Sequence, residues 1–191
     1  METNLSKLRL FYIIYGAICL FPLISYLTSG YWIANIGVNI VVYACTIGLF
    51  GWAAVKGKNM GINLAGRIGG WIFVALELIS ALVYIYFFVL NRDTFDYSQT
   101  FLYSTISAST YFLRLVALTL FVLCSKAWLA LKLTTIIIKW LQLVSYFLGG
   151  IFWGYMGWSY SYLTVTNAIL SFLLSTSIIT LALVWRPRRE A

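Results

Sequence analysis

The sequence predicts an all-α membrane protein, a polytopic bundle of transmembrane helices with six helices expected. Of its 191 residues, 62% are hydrophobic and 9% are charged. A soluble globular domain carries about 25% charged residues, so this chain has too few charges to cover a surface in water. Its apolar residues fall in continuous runs near the ~20 residues that a helix needs to cross the hydrocarbon core. Because the runs lack polar–apolar alternation, they indicate helices and not barrel strands.

The runs define six elements within one domain over 1–191. We expect helices at 8–27, 32–55, 68–90, 106–128, 136–156 and 162–185. Pro22 interrupts the first run, and a proline there removes a backbone hydrogen bond and favours a kink. This run exceeds the apolar segment of a signal peptide and lacks a small-residue cleavage site after it, so it is interpreted as an uncleaved first helix.

Basic residues are distributed unevenly between the two sides of the predicted bundle. With six helices, eleven of the 13 lysines and arginines fall on the side of both termini. They are Lys7, Arg9, Lys56, Lys58, Arg67, Lys126, Lys132, Lys139, Arg186, Arg188 and Arg189. Cytoplasmic loops carry such an excess. The pattern predicts cytoplasmic termini and favours a multi-pass protein of a bacterial inner membrane.

Several classes of function find no support in the sequence. The chain has no histidine, and its three cysteines have no CxxC spacing, so neither a histidine-based general base nor a zinc site is indicated. No phosphate-binding glycine loop or nucleophile elbow is present. We therefore expect no enzyme activity, no catalytic residue, no metal and no cofactor. The net charge of +8 is spread between apolar runs, which argues against nucleic-acid binding.

Two ionisable residues lie inside predicted membrane helices. Glu77 belongs to the third run and Arg114 to the fourth. A charge at this depth costs at least about 2.5–3.5 kcal/mol, and such residues commonly face the bundle interior, pair and mark functional sites. Three interpretations stay open: a ligand site, a structural ion pair that joins consecutive helices, or an arginine that extends to the outer interface.

Polar and aromatic residues supply the other candidates for ligand binding. Asn35 and Asn39 are spaced i, i+4 and share a face of the second helix, towards the outer side. Trp153 and Trp158 belong to an aromatic-rich segment at the outer end of the last two helices. An interfacial aromatic belt and an outward-facing aromatic pocket both explain this segment.

These features favour a small-molecule binding or transport protein with an outward-facing aromatic pocket. The alternative is a structural or assembly subunit of a larger membrane complex. The lipid bilayer is the predicted partner, and other membrane subunits or further copies of the chain are also compatible. In length and helix number alone, the chain is similar to the substrate-binding subunits of energy-coupling-factor transporters, but it lacks the alanine-spaced motif expected on their first helix.

Overall fold

A computed structural model describes residues 4–27, 32–90, 97–156 and 160–185. Within these ranges, side chains are described except at 22, 25, 26, 32–35, 90, 97–101, 104, 148–156 and 160–164. The α-helices are α1 (Leu5–Ile18), α2 (Phe21–Leu27), α3 (Trp32–Lys56), α4 (Leu64–Ile85), α5 (Tyr97–Leu123), α6 (Leu129–Met156) and α7 (Tyr160–Val184). A 3₁₀ turn covers Gly57–Met60, and a π-helical turn, Tyr86–Leu90, extends α4. The structure confirms the predicted all-α helical bundle.

The helices form a closed ring. From α3 to α7, each helix packs on the next one in the chain, and α7 packs on α1 and α2, which in turn contact α3. Every helix therefore has a neighbour on either side. This arrangement gives the bundle an interior and an outer surface.

The outer surface is suited to lipid. Among the described residues, five helices are long and apolar enough to cross a membrane, yet only 22% to 33% of the residues in these spans are buried. Many of the exposed residues are large and apolar, such as Leu82, Ile137 and Leu183. An apolar surface of this extent is stable in hydrocarbon and not in water. The chain is thus a multi-pass membrane protein.

The first predicted helix is divided into two. α1 ends at Ile18, and α2 begins at Phe21, one residue before Pro22. A proline in the first turn of a helix costs little, because the amide hydrogen it lacks has no partner there. The kink expected at Pro22 is therefore a break just before it, so the helix predicted at 8–27 consists of two short helices and not one long one.

Other helices begin earlier than predicted, at Leu64, Tyr97 and Leu129, where we expected 68, 106 and 136. The side chain of Asn63 caps α4, accepting a hydrogen bond from the Gly66 amide at 2.9 Å. Hydropathy marks only the apolar part of each helix, whereas hydrogen bonding and capping extend the helix into polar sequence.

The turns at the end of the bundle near the N-terminus are joined to one another by backbone hydrogen bonds. The Asn4 amide donates to the Asn59 carbonyl at 2.6 Å, and the Lys126 amide donates to the Gly61 carbonyl at 2.9 Å. Gly61 adopts a positive φ of 74°, which favours glycine. We call this end of the bundle the basic end, because seven lysines and arginines surround it: Lys7, Arg9, Lys56, Lys58, Arg67, Lys126 and Lys132.

Three of these basic side chains bind carbonyls at helix C-termini. Such carbonyls lack intrahelical partners and carry partial negative charge, so cations stabilise them. The donor–acceptor pairs are Arg9 to Ala182 and Leu183 at 2.7 and 2.6 Å, Arg67 to Ala54 at 2.9 Å, and Lys132 to Leu123 at 3.1 Å.

Aromatic rings fill the interior next to the basic end. Phe50 stacks on Phe73 at 4.1 Å, and Phe11 contacts Phe50 edge-on at 5.2 Å and Phe121 at 5.1 Å. We call these four residues the phenylalanine cluster. They come from α1, α3, α4 and α5 and are buried, so they tie four helices together and close this half of the interior.

Candidate functional site

Glu77 and Arg114 form an ion pair in the middle of the bundle. Arg114 Nη1 lies 2.5 Å from Glu77 Oε2, and the Arg114 and Glu77 side chains are 18% and 6% exposed. Glu77 is 13 residues from the start of α4, about 20 Å along its axis. Arg114 therefore binds a partner at mid-depth and does not extend alone to the membrane surface.

Close contact between α4 and α5 makes this pairing possible. A Cβ atom added at Gly69 would lie 3.0 Å from the Ala117 carbonyl oxygen, and one at Gly66 would lie 2.8 Å from Cys124 Cβ. Small residues at these positions let the two backbones approach. Glu77 follows Gly69 by about two helical turns on the same helix, which brings its carboxylate opposite Arg114.

Arg114 keeps hydrogen-bonding capacity beyond this pair. Its guanidinium carbon lies 5.6 Å from the centre of the Tyr111 ring, within cation–π range. Its Nε atom is buried and has no hydrogen-bond partner among the described residues. A buried unpaired donor attached to a charged group is costly. An acceptor brought in by a ligand would relieve that cost.

Tyrosines from neighbouring helices surround the ion pair. Tyr43 of α3 interacts electrostatically with both Arg114 and Glu77, and Tyr15 of α1 does so with Glu77 and Tyr111. The Tyr111 ring also lies 6.1 Å from that of Tyr146 on α6. Tyrosines of α1, α3, α5 and α6 thus lie near this depth, and their hydroxyl groups can donate or accept hydrogen bonds.

Asn39 joins this group through a second tyrosine. Its side-chain amide donates to the Tyr84 hydroxyl at 3.2 Å, and the Tyr84 ring lies 5.9 Å from that of Tyr43. The structure therefore pairs two of the six predicted ligand-binding residues, Glu77 and Arg114, and connects Asn39 to them only through Tyr84 and Tyr43. The side chains of Asn35 and Trp153 and the whole of Trp158 lie outside the described residues.

Sequence analysis missed a third intramembrane charge, Lys139. It assigned Lys139 to the basic flank of its helix, because the predicted helix began at 136. In the structure, α6 begins at Leu129, so Lys139 lies ten residues inside it, about 15 Å along the axis. Its ammonium group interacts electrostatically with the thiol of Cys19, the residue that follows α1. Knowing the start of α6 would have revealed it.

Polar groups also link α6 to α7. The Gln142 amide donates to the Ser171 hydroxyl at 2.9 Å, and both residues are buried. This is the cross-helix hydrogen bond expected of a buried amide in a membrane bundle. Ser175, one turn further along α7, is fully buried, and its Oγ atom has no partner in the described part of the chain.

The chemistry available at this site is binding through charge and hydrogen bonds. Among the described residues, Glu77 is the sole carboxylate, and no group of three or more metal-ligating side chains is found. The cysteines Cys19, Cys45 and Cys124 are free thiols. We call the group formed by Glu77, Arg114, Tyr15, Tyr43 and Tyr111 the central polar site.

A separate cleft opens on the outer surface between α6 and α7. It has a volume of about 380 Å³ and is lined by four hydroxyl side chains and one leucine: Thr134, Thr176, Ser177, Thr180 and Leu181. Thr176 and Thr180 are exposed. We call it the hydroxyl cleft.

No protein-family model, curated protein or solved structure matches this chain. Its function is therefore inferred from the central polar site and the hydroxyl cleft.

Proposed function

We propose that this protein binds a small molecule at the central polar site and carries it across the membrane, and that it is not an enzyme. The buried ion pair between Glu77 and Arg114, with an unpartnered donor on Arg114, carries the proposal. Ionisable residues that face a membrane bundle's interior commonly mark substrate pathways. The four tyrosines around the pair, including Tyr146, supply aromatic surface and hydroxyl groups suited to a small ligand.

Access from the end opposite the basic end fits this proposal. The phenylalanine cluster closes the interior on the basic side. On the other side of the ion pair, Asn39 and Tyr103 are only half-buried. We place the basic end in the cytoplasm of a bacterial cell, which makes the ligand's entry outward-facing. The seven basic residues around that end support this orientation.

Thermal unfolding of the purified protein in detergent, with and without a panel of metabolites and lipids, tests the proposal. A compound that binds the folded state raises the melting temperature by mass action. We expect at least one compound to do so, and Glu77→Gln or Arg114→Leu to abolish its effect. Arg67→Leu is the matched control, since Arg67 is a half-buried arginine that binds a backbone carbonyl at the basic end. Its variant should keep the ligand response.

Two outcomes would count against ligand binding here. One is a panel in which no compound shifts the wild-type melting temperature. The other is a stabilising compound whose effect survives both substitutions in the ion pair, because that compound binds elsewhere. Uptake into proteoliposomes then separates transport from binding: a binder that is not a transporter shows the thermal shift and no accumulation.

The hydroxyl cleft favours a second candidate function, that of an assembly subunit. Exposed hydroxyls on a lipid-facing surface gain hydrogen bonds when a neighbouring helix packs on them. Single cysteines at Thr176 and Thr180, in a variant lacking the native cysteines, should then crosslink to a second copy or to another subunit in native membranes. A cysteine at Leu82, exposed on α4, is the control that should not crosslink. Equal crosslinking at all three positions would indicate random collisions.

A further inference from the structure

Lys139 lies too deep in the bundle to reach water at the basic end. The ten residues between Leu129 and Lys139 span about 15 Å, and the hydrocarbon core is about 30 Å thick. A lysine side chain extends about 6 Å, which is less than half of the 15 Å that separates Lys139 from the start of α6. Lys139 is half-buried, and its ammonium group lies within electrostatic range of the buried thiol of Cys19.

The described residues offer Lys139 no counter-charge. Glu77 is their sole carboxylate, and Arg114 already binds it. No ion pair or hydrogen bond of Lys139 occurs within the described ranges. The central part of the bundle therefore holds two cations and one anion. An uncompensated cation in a membrane interior is unfavourable and calls for an anionic partner.

One polar group that lies level with Lys139 has no hydrogen-bond partner among the described residues, the hydroxyl of Ser175. The hydrogen bond between Gln142 and Ser171 sets the register of the antiparallel helices α6 and α7. One turn closer to the basic end on both helices, this register places Lys139 level with Ser175. α1 closes the junction, since Cys19 lies within electrostatic reach of Lys139. A Cβ atom at Gly16 would also lie 3.4 Å from the Ser175 carbonyl.

We propose that Lys139 and Ser175 bind one negatively charged group, the carboxylate of a small molecule, at the junction of α1, α6 and α7. An ammonium and a hydroxyl both donate to a carboxylate oxygen, and a charge-assisted bond in a poorly hydrated site is strong. A lipid phosphate does not fit, because headgroups lie at the membrane surface and Lys139 lies near its middle. This inference rests on the proposed function and adds the charge of the ligand.

The test uses simple carboxylates and their uncharged amides on the purified full-length protein in detergent. Formate, acetate and benzoate are compared with formamide, acetamide and benzamide at equal ionic strength. We expect a carboxylate to raise the melting temperature of the wild type and its amide not to. Lys139→Met should weaken the binding of that carboxylate by about 10- to 100-fold, the value of one hydrogen bond to a charged group. Ser175→Ala should weaken it less.

Two further observations separate binding from a merely structural lysine. Without ligand, Lys139→Met should melt at a higher temperature than the wild type, because it removes an uncompensated buried charge and keeps the side chain's length. Lys132→Met is the matched control: Lys132 lies on the same helix and binds the Leu123 carbonyl at 3.1 Å. That variant should melt lower, because a helix C-terminus loses its cap, and should keep the carboxylate response.

The inference is overturned if no carboxylate stabilises the wild type more than its amide, or if Lys139→Met responds as the wild type does. Its failure is distinct from failure of the proposed function. A metabolite whose shift of the melting temperature depends on Glu77 and not on Lys139 would support binding at the central polar site and exclude the anion site at Lys139. No response to any compound would remove both.

Discussion

Removing either partner of the Glu77–Arg114 ion pair leaves the other charge buried, so each single substitution should destabilise the protein more than the double substitution. Breaking a buried pair on one side costs about 3–5 kcal/mol. We expect Glu77→Gln to lower the free energy of unfolding by about 3 kcal/mol, the lower end of this range. The Arg114 side chain is 18% exposed, and glutamine can still accept one hydrogen bond from it. At about 2–4 °C per kcal/mol for a chain of this size, the melting temperature should fall by about 6–12 °C.

The double-mutant cycle isolates the pair. Glu77→Gln with Arg114→Leu should come within about 1 kcal/mol of the wild type, since neither buried charge is left. Unfolding in detergent, followed by circular dichroism, measures all four proteins. The control cycle pairs Glu77→Gln with Arg67→Leu. Arg67 lies about 15 Å from Glu77 along α4, so the losses of stability from these two substitutions should add. Additive effects in the main cycle would refute the reasoning, because they would mean that the two charges do not depend on each other.

Three further substitutions test the packing by the same unfolding measurement. Gly69→Ala should destabilise the protein by about 1–3 kcal/mol, because the new Cβ would lie 3.0 Å from a backbone oxygen of α5. Gly48→Ala is the control: a Cβ there has open space around it, so this substitution should be neutral or stabilising. Gly61→Ala should cost about 1–2 kcal/mol through its positive φ of 74°, and an unchanged melting temperature would contradict that strain. Gln142→Leu should cost about 1 kcal/mol by orphaning the Ser171 hydroxyl, and adding Ser171→Ala should recover part of it.

The sequence was sufficient to predict the helices and the pairing of consecutive ones. Continuous apolar runs allow only helices in lipid, and short connections make neighbouring helices antiparallel. Glu77 and Arg114 could be singled out because a charge within an apolar run needs a partner. Because their helices are consecutive, an ion pair between them was one of the three interpretations that the sequence left open.

Lys139 shows why the rest of the site could not be predicted. Hydropathy placed the start of its helix seven residues too late, because Lys132, Thr134 and Thr135 lower the apolar average of a segment that is nonetheless helical. Its neighbours are Cys19, which follows α1, and Ser175 of α7, and both are distant from it in sequence. Their meeting depends on closure of the ring, and nothing in a single sequence specifies that contact.

The interior of the bundle is polar at the ion pair and aromatic next to the basic end. A substitution in the aromatic part can therefore distinguish transport from binding alone. A ligand at Glu77 and Lys139 must pass the phenylalanine cluster to leave through the basic end. The ring centre of Phe50 lies 4.1 to 5.2 Å from those of Phe11, Phe73 and Phe121. We therefore expect Phe50 to block the route from the ion pair to the basic end. Phe50→Ala should therefore change the rate of ligand exit into proteoliposomes and leave the dissociation constant within about threefold, below about 0.7 kcal/mol. If the variant binds normally and uptake is unaltered, the ligand crosses the membrane without passing this cluster. If the wild type binds the ligand and accumulates none, the protein is a binder or an assembly subunit.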